Sequence, residues 1–199
     1  MFPAVFIGER MTKKIIVGIS GASGAIYGIK LLEALKEQGV ETHLVVSTWG
    51  EYTINEETSY TVEEVKALAT KCYDEKDMAA KISSGSFNID GMVVVPCSMK
   101  TLAGIASGFS DDLIMRAADV SLKERRKVIL AVRETPLSRI HIENMLKVTD
   151  AGAMVMPPVP AFYIRPETLD DIVEQSIARI MDHLGIPLPY VKRWRSDDE

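Results

Sequence analysis

Short, continuous apolar runs alternate along this chain with stretches whose apolar positions recur every three or four residues. Lys14-Ile15-Ile16-Val17-Gly18-Ile19-Ser20 is β-branched and nearly unbroken, the pattern of a strand buried on both faces. A glycine-rich turn follows, then a helical stretch over about 25–38, with Ile29, Leu32 and Leu35 on one face and Gly39 as its stop. Thr42-His43-Leu44-Val45-Val46-Ser47 predicts a second strand. The stretch 50–88 is less regular, with one helix near 61–71 opened by a Thr61/Glu64 capping box. Gly91-Met92-Val93-Val94-Val95-Pro96 is a third strand, followed by helices near 99–107 and 111–125. Lys127–Val132 is a fourth strand, 138–150 a helix, Ala153–Pro157 a fifth strand, and 167–184 a long helix.

Apolar strands separated by helices imply a doubly wound, mainly parallel α/β sheet, a three-layer sandwich of the Rossmann or flavodoxin-like kind. Ligands of such sheets sit beyond the carboxyl ends of the strands. The first strand ends in Gly18-Ile19-Ser20-Gly21-Ala22-Ser23-Gly24. Its glycines fall three apart, so this is not the dinucleotide fingerprint G-x-G-x-x-G. A glycine turn opening a helix still offers backbone N–H groups to a phosphate or a ring edge, although a ligand-free turn would read the same. The second strand ends at Ser47, the third at Cys97-Ser98-Met99-Lys100-Thr101, the fourth at Arg133-Glu134-Thr135, and the fifth before Pro160-Ala161-Phe162-Tyr163. Each Ser or Thr alone could be a cap. Their recurrence at all five ends points to an anionic ligand.

In the last helix, Leu169, Ile172, Val173, Ile180 and Leu184 form the apolar stripe, and Arg179 follows Ile172 by seven residues. That spacing places Arg179 within about 20° of a core-facing position. A guanidinium there needs a carboxylate or a ligand phosphate, unless it snorkels from the edge of the stripe. Arg116 and Lys123 share a face with Asp112 and Asp119, which spacing alone reads as a solvated, ion-paired surface.

Composition narrows the chemistry. The chain has 199 residues, 23 Lys+Arg against 28 Asp+Glu, a net charge of -5 and 47% hydrophobic residues. One domain is expected, and no basic surplus exists to neutralise nucleic-acid phosphates. Residues 1–10 read as an appended or mis-called start before Met11, residues 11–195 as a single domain, and 196–199 as an acidic tail. The N-terminus lacks a basic signal-peptide region and no apolar run reaches 18 residues, so neither secretion nor a membrane span is expected. The cytoplasm is the expected compartment. Cys72 and Cys97 are too few for a disulfide scaffold or a four-cysteine metal site and read as small buried hydrophobes. His43, His141 and His183 lack metal-ligand spacing. Asp111-Asp112, Asp170-Asp171 and Asp197-Asp198 do not extend to the DDxxD pattern that holds magnesium on a diphosphate. No G-x-S-x-G elbow is present. From the residues alone, the chain is a doubly wound α/β protein that binds a phosphorylated ligand.

Eight motifs add a resemblance. Gly21-Ala22-Ser23-Gly24, Pro96-Cys97-Ser98-Met99-Lys100-Thr101-Leu102-Ala103, Arg116-Ala117-Ala118-Asp119-Val120 and Leu122-Lys123-Glu124-Arg125 resemble UbiX-type flavin prenyltransferases. So do Arg133-Glu134-Thr135-Pro136-Leu137-Ser138, His141-Ile142-Glu143-Asn144-Met145-Leu146, Pro160-Ala161-Phe162-Tyr163 and Arg193-Trp194. Ile82-Ser83-Ser84-Gly85-Ser86-Phe87 and Ser98–Thr101 look like the phenolic acid decarboxylase branch of that family.

The resemblance implies transfer of a dimethylallyl group from dimethylallyl monophosphate to N5 and C6 of reduced FMN, without a metal. The prenylated FMN would serve a separate UbiD-type decarboxylase. Carried over by motif, Gly21, Ala22, Ser23, Ser47, Ser98, Met99, Lys100, Thr101 and Arg133 would hold FMN, with Ser23 near its reactive edge. Lys123, Arg133, Tyr163 and Arg179 would gather around the prenyl phosphate, with Arg116 supporting them. Glu134 would be the acid/base, Glu57 a further glutamate at the site, and Trp194 a shield for the allyl group. A homododecamer with sites between protomers is also implied. Two other readings remain. An FMN-dependent decarboxylase of related fold would need a histidine near the glycine loop, and a non-catalytic carrier of prenylated FMN would not need Glu134 or a full phosphate cluster.

Overall fold

The computed structural model describes residues 12–191 and 194. The expectations for residues 1–10, for Arg193 and for the tail 196–199 lie outside them. In chain order the elements are β1 (Lys14–Ile19), α1 (Ala25–Glu37), β2 (Glu41–Val46), α2 (Thr48–Glu57), α3 (Val62–Leu68) and β3 (Lys71–Tyr73). There follow β4 (Gly91–Cys97), α4 (Met99–Ser107), α5 (Leu113–Lys123), β5 (Lys127–Val132), α6 (Arg139–Asp150), β6 (Met154–Val155) and α7 (Leu169–His183). The strands among the described residues form one sheet in the order β3-β2-β1-β4-β5-β6, and every pairing is parallel.

The alternation of side chains explains why the strands read as unbroken apolar runs. Ile15, Val17 and Ile19 face one layer with Val93, Val95, Ile129 and Ala131, where α1, α3 and α7 cover them. Ile16, Met92, Val94, Val128 and Leu130 face the other, beneath α4 and α5. The central strands must therefore be apolar on both faces through most of their length.

The sequence missed α2 and β3. β3 is a three-residue edge strand, Lys71-Cys72-Tyr73, too short and too polar to show a period. The expected fifth strand, here β6, shrinks to Met154–Val155. On α7 the apolar stripe is Val173, Ile177, Ile180, Met181 and Leu184, whereas Leu169 is 81% exposed and Ile172 only half-buried. Leu169 opens the helix just after the Thr168 cap, where the helix has yet to reach the core. The Thr61/Glu64 capping box forms as expected, Asp112 caps α5, and Asp171 completes a capping box with Thr168 on α7.

His43 is buried on β2. Glu41 can only accept, so His43 Nε2 donates to it at 3.0 Å, and the Tyr73 hydroxyl donates to Nδ1 at 2.9 Å. Burial pushes the imidazole below its ordinary pKa, against the pull of Glu41. The unfolded chain then binds the proton more readily than the folded one, so stability falls as pH drops below about 6.5. The melting temperature should decline between pH 7.5 and 5.5, and His43→Gln should flatten that decline. An unchanged slope in His43→Gln would contradict this.

Candidate active site

The sheet reverses its winding between β1 and β4, and the two strands are tied together at that crevice. Pro96 has no N–H to give the β4–β5 ladder, and the register slips there, from Val94 opposite Leu130 to Cys97 opposite Val132. The Pro96 carbonyl accepts from Ser20 N at 3.2 Å and from Ser20 Oγ at 2.9 Å. Ser20 Oγ in turn accepts from Ser98 N at 2.8 Å. One buried hydroxyl thus locks the glycine turn after β1 to the start of α4.

The turn itself is shaped by its neighbours. A Cβ on Gly21 would lie 2.2 Å from Trp49 Cβ, so only glycine lets α2 pack over the loop. Ala22 and Ser23 follow, both half-buried. Gly24 has φ 99°, the left-handed region that glycine enters without strain. Its N–H donates to Glu57 Oε2 at 2.7 Å, which places the carboxylate of the last α2 residue at the mouth of α1.

Two more helices begin beside this turn. Ser47 caps α2, accepting from Gly50 N at 3.0 Å. Ser98 caps α4, accepting from Thr101 N at 3.2 Å, with Thr101 Oγ1 3.1 Å from Ser98 Oγ. The positive ends of α1, α2 and α4 therefore converge on the rim, a setting that favours an anion. Arg133 follows β5 at the same rim, its N–H held by Cys97 O at 3.1 Å, and its side chain is exposed with that of Glu134. Met99 is half-buried and Lys100 exposed, 4.0 Å from the Asp112 cap, whose carboxyl burial pushes up. Cys97 is fully buried and its thiol is pushed up to about 12. It is a packing residue, not a nucleophile.

A second group flanks α7. Tyr163, Gln175, Arg179, Asp182 and Trp194 line a cavity of about 410 Å³. The Tyr163 and Trp194 rings meet edge to face at 5.5 Å. Arg179 is not core-facing as its spacing predicts. Its side chain is 49% exposed and reaches Asp182 at 3.4 Å, and Ile172, the position it follows by seven residues, is itself only half-buried. A smaller cavity joins Arg179 and Gln175 to Val95 and the Met156–Val159 segment, linking this group to the sheet.

Lys123 and Arg116 do not join these residues within one chain. Lys123 ends α5 just before β5 begins, whereas Arg133 follows the end of β5. Six residues of strand separate the two levels by about 20 Å. There Lys123 pairs with Glu124, and Arg116 pairs with Asp119 at 2.9 Å and donates to Ser83 O at 3.3 Å. In a single copy these are the solvated ion pairs that the spacing suggested. Among the described residues, no three His, Cys, Asp or Glu converge as a metal site.

The Flavoprotein family model matches residues 8–181. A probable UbiX-like flavin prenyltransferase of Bacillus subtilis is 57% identical over 181 residues, covering 91% of this chain and 89% of that protein. The chain belongs to the UbiX-type flavin prenyltransferase family.

Solved structures of the UbiX family agree with this fold. A UbiX protein in complex with FMN and dimethylallyl pyrophosphate has a TM-score of 0.92 at 55% identity, covering 93% of this chain and 98% of its own. A dodecameric FMN-dependent UbiX-like decarboxylase from Escherichia coli O157:H7 has a TM-score of 0.90 at 55% identity, over 92% and 100% of the two chains.

Three contributors went unseen in the sequence. Ser20 was visible only as a strand end, although a serine before a glycine turn could have marked it. Trp49 and Gln175 carried no signal, because their partners Gly21 and Tyr163 are far away in the chain. The Gly21–Trp49 contact makes a direct test. Gly21→Ala should force α2 off the turn and cost about 1–3 kcal/mol, the range for overpacking. Equilibrium unfolding in urea would measure it, and a variant as stable as the parent would refute the close approach.

Proposed function

We propose that the β1/β4 crevice is the flavin site of a prenyltransferase that joins a dimethylallyl group to reduced FMN. The observation that carries this is the convergence of three helix N-termini and Arg133 on a glycine turn that Trp49 and Ser20 hold in place. The residues present suit a flavin phosphate. The backbone N–H groups of the turn and the first helical turns can donate to it, and Gly21, Ala22, Ser23, Ser47, Ser98, Met99, Lys100, Thr101 and Arg133 would hold the cofactor. When bound, reduced FMN supplies the nucleophilic N5 and C6 that receive the prenyl group. The product, prenylated FMN, serves a UbiD-type decarboxylase.

The chain's own residues would then act on the donor, dimethylallyl monophosphate. Its allylic C–O bond breaks with the electron pair leaving on phosphate, a poor leaving group at neutral pH. Arg133, Arg179 and Tyr163 would stabilise that developing charge. Glu134 would move the proton at the phosphate or the flavin. Glu57, tied to Gly24 N–H, would hold its carboxylate beside Ser23 at the flavin edge. Trp194 would cover the allyl group and exclude water from it.

Lys123 fits this scheme if it comes from another copy, since its own rim lies about 20 Å away along the strand, and Arg116, two turns back on α5, would come with it. A homododecamer, the assembly of the Escherichia coli O157:H7 relative, would supply that copy. No helix among the described residues is long and apolar enough to cross a membrane. The free thiols of Cys72 and Cys97 suit a reducing compartment, and we place the reaction in the cytoplasm.

Three outcomes are expected. Anaerobic incubation with reduced FMN and dimethylallyl monophosphate should yield, by mass spectrometry, a flavin heavier by one five-carbon unit. A folded, FMN-bound protein that forms no adduct would overturn the transferase reading. Glu134→Gln should keep FMN binding and slow transfer at least about tenfold, and an unchanged rate would remove its acid/base role. Lys123→Ala and Arg133→Ala oligomers, each nearly inactive, should regain roughly a quarter of parental activity when co-assembled, since sites shared between copies then include intact ones. No recovery on co-assembly would place both residues in the site of a single protomer.

A further inference from the structure

Gln175 is buried on α7, 5% exposed, at a position flanked by Ser176 and Ile177 that the core also covers. A buried amide is costly without a partner. Its partner is the Tyr163 hydroxyl, to which Gln175 Nε2 donates at 3.2 Å. Tyr163 lies outside any helix or strand and is 42% exposed, so its segment alone would not fix the ring. Two contacts do so: the edge-to-face stack on Trp194 and the bond from Gln175. Gln175 and Arg179 are one turn apart on α7 and line the same cavity as Tyr163.

The direction of this bond decides what Tyr163 can do. An amide N–H only donates, so the tyrosine oxygen accepts and its own proton is left free to point into the cavity beside Arg179. We infer that Gln175 is a positioning residue, fixing Tyr163 as a hydrogen-bond donor to the phosphate of the prenyl donor. This rests on the reading of Tyr163 as a phosphate contact. α7 then carries both the cation and the group that sets the hydroxyl donor. A leucine at position 175 would fill the space but leave the hydroxyl free to turn away.

A double-mutant cycle on the assembled, FMN-loaded enzyme separates this from simple packing. Gln175→Leu should lower kcat/KM for dimethylallyl monophosphate about 3- to 10-fold, the worth of one neutral hydrogen bond. The affinity for FMN should stay unchanged. In the Tyr163→Phe background the same substitution should change kcat/KM by less than about twofold, because the hydroxyl it acts through is gone. Equal losses in both backgrounds, or no loss in the Tyr163 background, would overturn the inference. If Tyr163→Phe alone leaves kcat/KM unchanged, the phosphate role of Tyr163 falls and the inference with it. Should Gln175→Leu melt at lower temperature than the parent, Gln175→Met is read in its place with the same expectations.

Discussion

Everything at this site depends on how β1 and β4 are joined where the sheet reverses direction. Neighbouring strands wound to opposite sides leave a crevice at their carboxyl ends, and a crevice closes or gapes unless its lips are tied. Pro96 withholds an N–H from the β5 side, and its carbonyl takes both Ser20 N and Ser20 Oγ. Ser20 also accepts from Ser98 N, so one buried hydroxyl sets the distance between the glycine turn and the start of α4. The N-termini of α1 and α4 are thereby fixed relative to each other, and α2 is drawn over the turn until Trp49 meets Gly21. The result is a rim lined by backbone donors whose net field is positive. A chain of net charge -5 can therefore bind anions at one place without carrying a basic surface.

The same strand polarity means that the proposed site needs more than one copy. In a parallel sheet, residues that follow strands gather at one end and residues that precede them gather at the other. Arg133 and Glu134 belong to the first group, Lys123 to the second. No bending of loops bridges six residues of extended chain. A phosphate cluster that draws on both groups has to be built between protomers, and exposed apolar side chains such as Ile140, Ile142, Leu146 and Phe162 leave surface for such contacts. On the proposed reading, oligomerisation would complete the chemistry as well as bury surface.

Much of this was legible from the sequence, for physical reasons. Strands buried on both faces announce themselves as unbroken apolar runs, so five of the six strands among the described residues are legible within a residue or two. The edge strand Lys71–Tyr73 is not, because it is too short to carry a period, and the expected fifth strand over 153–157 is only two residues long as β6. The rim residues could be named because capping serines and a glycine turn have local signatures, and the family motifs then gave them roles. Arg179 shows the limit of periodicity. A seven-residue spacing from Ile172 put it on the core side, yet Ile172 is itself only half-buried and Arg179 emerges to pair with Asp182. Gln175 shows another limit. A glutamine on the face opposite the apolar stripe reads as solvent-facing until the fold brings Tyr163 to it.

The central claim is that a flavin site at the β1/β4 crevice becomes a prenyl-transfer site only when a second copy supplies Lys123. The most direct test is the structure of the assembled oligomer with FMN and dimethylallyl monophosphate bound. The account predicts the prenyl phosphate within hydrogen-bond reach, about 2.7–3.2 Å, of Arg133 in one protomer and of Lys123 in another. A loaded oligomer in which Lys123 still pairs with its own Glu124, in solvent and remote from the phosphate, would contradict it.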